Sequence, residues 1–232
     1  MSLPVAICAA VFGGAVCAFL PRIAHRLAVP AGEPLRATCA HCSAAFPPGK
    51  TGWVRAGRSC ACESVPWRLV AAGAAAAALP AITLGPRPIV LAVLLAIGPG
   101  VLLAAIDLRC RRLPDPVVAV LAGLTVPVLV TVAGPGQVVR AGAGAGVCFT
   151  AYTMIAILPR AGLGFGDVKL GAVLGFVLGF AGWPALAVGV LAPHLIAGPV
   201  AVILLATRRI GRHSALPFGP ALLAGALIGV CT

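Results

Sequence analysis

The stretch PIVLAVLLAIGPGVLLAAID, residues 88–107, decides the fold. From Pro88 to Ile106 it carries no charged side chain, and then it meets an aspartate. A helix that crosses a bilayer needs about 20 mostly apolar residues. This segment therefore has the length of one crossing, with a carboxylate at its edge. Gly98, Pro99 and Gly100 in its middle would break a helix in water. In lipid they are ordinary, because neighbouring helices re-satisfy the freed backbone groups.

Further apolar runs follow the same logic: Leu3–Leu20, Trp67–Leu84, Pro116–Val132, Val138–Leu158, the short Leu170–Phe180, Pro184–Ala206 and Phe218–Cys231. Together they predict an all-α polytopic membrane protein, a bundle of about eight transmembrane helices with one long loop between the first two. Composition agrees. Of 232 residues, 61% are hydrophobic and only 9% charged, against roughly 25% charged in soluble domains. The mean hydropathy is +1.10. Those values exclude a water-soluble enzyme, and they exclude intrinsic disorder, which requires low hydrophobicity. The first run has no Lys or Arg before it, and its positive charges come afterwards. It reads as a retained span with its N-terminus outside rather than a secretory signal.

The net charge is +12, which on a soluble chain would suggest nucleic acid. The positions of the charges give another explanation. Arg22, Arg26, Arg36, Lys50, Arg55, Arg58 and Arg68 fall between the first two spans. Arg109, Arg111 and Arg112, then Arg160 and Lys169, then Arg208, Arg209 and Arg212 fall in alternate later loops. The other side holds only Arg87 and Arg140. The positive-inside rule makes the crowded side cytoplasmic and puts both termini outside a multi-pass plasma membrane protein. The basic excess is topological and requires no nucleic-acid partner.

All five acidic residues, Glu33, Glu63, Asp107, Asp115 and Asp167, lie in or beside that same side. Asp115 followed by Pro116 reads as a structural cap for the next helix. Asp107 and Asp167 each stand at a span end, where a carboxylate marks function by default. Two carboxylates at one low-dielectric edge suit aspartyl proteolysis. One ionised group takes a proton from water while the other, protonated, polarises the scissile carbonyl. Like charges that close hold one proton between them. Gly164 and Gly166 beside Asp167 leave room for substrate backbone. Lys169 and a helix N-terminus favour the ionised form of Asp167, and a helix C-terminus favours protonation of Asp107. Gly171, Gly175 and Gly179, like Gly142 and Gly146, recur at four-residue spacing and predict close helix packing.

Nine cysteines are present. Cys8, Cys17, Cys110, Cys148 and Cys231 are scattered apolar packers. Cys39, Cys42, Cys60 and Cys62 cluster in the long loop on the reducing side, where four thiolates suit zinc and disulfides are rare. His41 offers a substitute ligand.

Asp107 with Leu113-Pro114-Asp115, then Gly164-Phe165-Gly166-Asp167-Val168-Lys169, then Pro217-Phe218-Gly219-Pro220 occur in that order. In this combination the chain resembles the prepilin peptidase family, intramembrane aspartyl proteases of the Gly-x-Gly-Asp type, from about residue 100 to the C-terminus. The resemblance implies cleavage of the leader peptide of type IV prepilins or pseudopilins on the cytoplasmic side by Asp107 and Asp167, with Gly164, Gly166 and Lys169 shaping the active site. The stretch Cys17–Leu27 and Glu33-Pro34-Leu35 also look like the family's N-terminal region. That likeness implies a zinc-binding, methyltransferase-like region over about 21–67 within an N-terminal unit 1–84, ahead of a peptidase domain 85–232. The associated activity is N-methylation of the mature N-terminus from S-adenosylmethionine. The family's Glu after Trp67-Arg68 is replaced here by Val70 and Ala71. Two rival readings remain. An ion- or proton-coupled transporter using Asp107 and Asp167 expects midplane carboxylates and an internal repeat. An inactive assembly scaffold expects substrate processing to survive loss of either Asp.

Overall fold

The computed structural model describes residues 3–30, 32–56, 60, 62, 66–158, 163–208 and 216–232. Met1, Ser2, Arg58, Glu63, Arg160, Arg209 and Arg212 lie outside the described residues. The helices are α1 (Leu3–Ala18), α2 (Leu20–Leu27), α3 (Trp67–Leu84), α4 (Pro88–Cys110), α5 (Asp115–Val132), α6 (Pro135–Ile157), α7 (Phe165–Ala181), α8 (Trp183–Ala206) and α9 (Gly219–Val230). Proline stands in the first turn of α4, α5, α6, α8 and α9, where its missing N–H costs nothing and its fixed φ is already helical. Gly85 and Gly182 end α3 and α7 with φ of 69° and 147°, values that favour glycine.

Every predicted apolar run is helical, and the protein is a polytopic helical membrane protein. Five helices (α3, α4, α5, α6 and α8) are long and apolar enough to cross a bilayer alone. The first predicted span, Leu3–Leu20, is α1 nearly throughout, and at its end the chain bends by 45° into α2. At the other extreme α9 has 12 residues, about 18 Å of helix at 1.5 Å per residue, well short of a hydrocarbon core about 30 Å thick. Its first residue, Gly219, is buried inside the bundle.

Glycine sets how the helices pair. Lipid tails are as apolar as leucine, so helices associate through close backbone approach. On α7, Gly171, Gly175 and Gly179 face Tyr152, Gly144 and Cys148, and Arg140 with Ala141, respectively, on α6. A methyl on Gly175 would lie 2.6 Å from the Gly144 carbonyl. The expected stripe on α6 needs correcting: Gly142 and Gly146 meet nothing within 4 Å, and Gly144 is the contact residue. Three alternating glycines fit two helical registers, and only the partner chooses between them. Similar contacts join α1 to α3 through Gly13 and Gly73, and α8 to α9 through Gly189, Gly225 and Gly229.

The deepest side chains, Leu103 and Ile106 of α4, Leu121 and Leu129 of α5, and Leu170 and Leu178 of α7, form the centre. Arg140 donates from Nε to Gly179 O at 2.8 Å and from Nη2 to Phe180 O at 2.9 Å. It thereby caps carbonyls that α7 leaves unpaired at its C-terminus. On α2, Arg22 donates to Thr51 O, His25 Nε2 to Thr38 O at 3.0 Å, and Arg26 Nη1 to Gly52 O at 2.8 Å. Arg26 also lies over the Trp53 ring at 4.1 Å. These contacts pin the cysteine loop to α2. Arg112 then ties it to the α4–α5 turn by donating to Pro30 O at 3.2 Å.

Candidate active site

Asp107 sits in the last turn of α4, 3% exposed. The helix stops just beyond it because Arg111 turns left-handed (φ 53°, ψ 42°) and donates its N–H to Asp107 O at 2.8 Å. The side chain looks across the bundle. Its Oδ2 accepts the Gly219 N–H at 2.9 Å, one of the unpaired donors of the first turn of α9. The expectation that helix polarity disfavours an ionised Asp107 is thus offset. Its own helix ends there, but a second helix points its positive end at the same carboxylate.

Asp167 is the third residue of α7. Its Oδ2 accepts the Gly164 N–H at 3.2 Å, which fixes the side chain as an N-terminal cap. Its Oδ1 is buried and has no hydrogen-bond partner among the described residues. An unsatisfied buried acceptor costs about 1–3 kcal/mol, so this oxygen is held in readiness at the expense of stability.

Leu113 is the spacer. A methyl on Gly166 would lie 2.9 Å from Leu113 Cβ, and one on Gly219 would lie 3.2 Å from Leu113 Cδ2 and 3.0 Å from Asp107 Oδ2. The Leu-Pro-Asp turn, the Gly-x-Gly-Asp turn and the start of α9 therefore converge on one buried side chain, and the two glycines exist because Leu113 leaves no space. Gly164, by contrast, is exposed.

Lys169 engages Asp115: its Nζ lies 2.7 Å from Asp115 Oδ2. Asp115 is the first residue of α5, after the N-cap position taken by Pro114. Its carboxylate is engaged by that lysine rather than by backbone N–H groups, because the sharp Leu113-Pro114 turn starts the helix one residue earlier than the Asp-Pro pattern suggests.

Sequence reasoning noted the Pro217–Pro220 motif but not that Gly219 holds Asp107. It missed the aromatic group Tyr152, His194 and Phe218. The Tyr152 and His194 rings stack at 6.2 Å with 6° between planes, and Phe218 lies 5.4 Å from His194. A lone histidine in a spanning run was the available signal.

The four loop cysteines come together, with all their sulfurs within 4.8 Å of one another. Cys39 Sγ lies 3.4 Å from Cys62 Sγ, and Cys42 Sγ lies 3.5 Å from Cys60 Sγ. A tetrahedral zinc with Zn–S near 2.3 Å separates its sulfurs by about 3.8 Å, so the donor set and its spread fit that ion. The Cys62 backbone and the neighbouring Cys42 thiol pull the Cys60 thiol down to about 6, and the Cys39 thiol with burial pushes Cys62 up to about 12.

Spanning helices and two acidic residues, Asp107 and Asp167, on turns that both close on Leu113 define a polytopic membrane protein with a candidate acidic site. The chain belongs to the type IV leader peptidase family, whose sequence profile matches residues 89–230. It is similar to the prepilin leader peptidase/N-methyltransferase of Bacillus subtilis (strain 168), at 39% identity over 87 residues, which is 38% of this chain and 33% of that protein. The match spans about a third of that relative's length. No solved structure matches the chain.

Proposed function

We propose that this protein is a membrane aspartyl endopeptidase that removes the leader peptide of type IV prepilins or related pseudopilins at the cytoplasmic face of the plasma membrane. The reading is supported by two acidic groups on turns that close on Leu113: Asp107, whose Oδ2 is held by a helix N-terminus, and Asp167, whose Oδ1 is buried with no partner among the described residues. Sharing one proton, the pair binds water between them. The ionised member takes a proton from the water, and the protonated member hydrogen-bonds the scissile carbonyl oxygen and stabilises the charge that develops there. The proton then passes to the leaving amine. Gly164 and Gly166 keep the approach to Asp167 free of side chains. The basic loops that flank the site favour its cytoplasmic placement and outward termini.

In this reading residues 85–232 are the peptidase domain, and 1–84 carry a loop in which Cys39, Cys42, Cys60 and Cys62 hold a structural zinc. The metal would cross-link the loop that Arg112 joins to the catalytic turn. The relative's name pairs leader cleavage with N-methylation, and we extend the second activity to this chain, with S-adenosylmethionine as methyl donor, as a separate claim.

Co-expression with a candidate prepilin tests the peptidase: the wild-type chain yields the shorter mature pilin, and Asp167→Asn does not. Processing that survives Asp167→Asn overturns the reading. Mass spectrometry of the mature pilin tests methylation, which an N-terminus lacking the added methyl mass refutes.

A further inference from the structure

His194 lies midway along α8, exposed at the bundle surface. Its Nδ1 donates to Val190 O at 2.8 Å. In the neutral ring that bond places the hydrogen on Nδ1 and leaves Nε2 as an acceptor. No protein donor reaches Nε2 among the described residues. A polar atom left so in a spanning helix points to function.

Its place in the bundle gives that function a direction. The His194 ring stacks on Tyr152, and Tyr152 presses against Gly171, one turn beyond Asp167 on the same face of α7. On the other side His194 meets Phe218, whose next residue, Gly219, holds Asp107. The imidazole is therefore one side chain removed from the helical turn of each carboxylate. α6 packs on α7 and α8 packs on α9. The Tyr152–His194 stack joins α6 to α8, and Tyr152 also lines an apolar cavity of about 10 Å³ with Cys148, Gly171, Leu174 and Val190.

Cleaving a peptide within an apolar helix requires that helix to unwind near the scissile bond, which frees backbone N–H groups. In lipid each freed donor needs an acceptor. We propose that His194 is a positioning residue: its Nε2 accepts a backbone N–H of the substrate's unwound segment as that segment lies in the α6–α8 crevice. The inference rests on the peptidase reading and adds the path by which substrate reaches the aspartates.

The test uses the full-length chain and a substrate with a basic leader, a Gly cleavage point and an apolar helix. His194→Phe keeps a stacking ring and removes the acceptor; His194→Gln restores a polar acceptor at similar reach. His194→Phe raises KM about three- to tenfold with kcat little changed, and His194→Gln recovers most of the loss. Binding is read separately in the Asp167→Asn background with a photo-crosslinking side chain at position 198. A Cβ there meets nothing within 4 Å. The substrate crosslinks from 198 and not from 196, on the far flank of α8. Unchanged KM in His194→Phe overturns the proposal, and so does failure to crosslink from 198, while cleavage by the wild type leaves the peptidase reading standing. Crosslinking without cleavage by the wild type sinks the peptidase reading and retains the docking path. Should His194→Phe fold poorly by size-exclusion chromatography, the crosslinking pair decides alone.

Discussion

The N–H of Gly219 reaches Asp107 Oδ2 at 2.9 Å, joining residues 112 positions apart in the chain. A deep carboxylate is thereby compensated by a helix end. The same contact explains why Phe218-Gly219-Pro220 opens α9: glycine admits the carboxylate and proline fixes the first turn.

Replacing either aspartate should remove catalysis without removing the fold. Asp107→Asn and Asp167→Asn each lower the cleavage rate by about 10²–10⁴ or more, the usual contribution of a positioned acid or base. Thermal unfolding in detergent checks that the fold persists. A variant that keeps wild-type cleavage excludes that residue from the chemistry.

Gly219→Ala keeps the N–H but adds a methyl 3.0 Å from Asp107 Oδ2 and 3.2 Å from Leu113 Cδ2. Overpacking of this kind costs about 1–3 kcal/mol. Because the clash falls on the carboxylate, kcat should drop by about 5–150-fold while KM moves little. Steady-state kinetics separates the two.

The α6–α7 pairing yields a matched pair of substitutions. Gly175→Ala places its methyl 2.6 Å from Gly144 O and should lower the unfolding midpoint by several degrees, about 1–3 kcal/mol of overpacking. Gly142→Ala meets nothing within 4 Å and should be neutral or slightly stabilising, since alanine is the better helix former. Equal effects would show that the glycine register is wrong.

The cysteine cluster should carry one zinc per chain by elemental analysis. Cys42→Ser or a strong chelator should release it and expose the 32–56 loop to protease, because a structural zinc contributes folding free energy directly. Absence of bound metal in protein purified without chelator refutes the site.

Lys169→Met should change stability by less than about 1 kcal/mol. Its partner Asp115 is 64% exposed and the lysine 38%, and ion pairs that reach solvent contribute little. A loss of cleavage far beyond that effect would return Lys169 to the active site.

Much of this was legible in the sequence because the bilayer imposes a period and a length. Runs such as Pro88–Ile106 and Pro184–Ala206 announce themselves, and in a chain with five acidic residues Asp107 and Asp167 stand out. What stayed hidden depends on partners. The choice of Gly144 over Gly142 needs the opposing face of α7. The approach of Gly219 to Asp107 needs α9 to be shorter than the bilayer. The diversion of Lys169 to Asp115 needs the tight Leu113-Pro114 turn. The four cysteines were visible as a set because their chemistry, unlike a packing register, is written in residue type.

The two acidic groups stand on different helices: Asp167 on α7, interlocked on α6 through glycine, and Asp107 on α4, latched to α9. In the proposed reading any sliding of α7 past α4 changes the gap between the two carboxylates. The space open to a water molecule would then be set by how these helices seat rather than by either side chain alone. A lipid or substrate that shifts one of them would throttle the reaction without touching an aspartate.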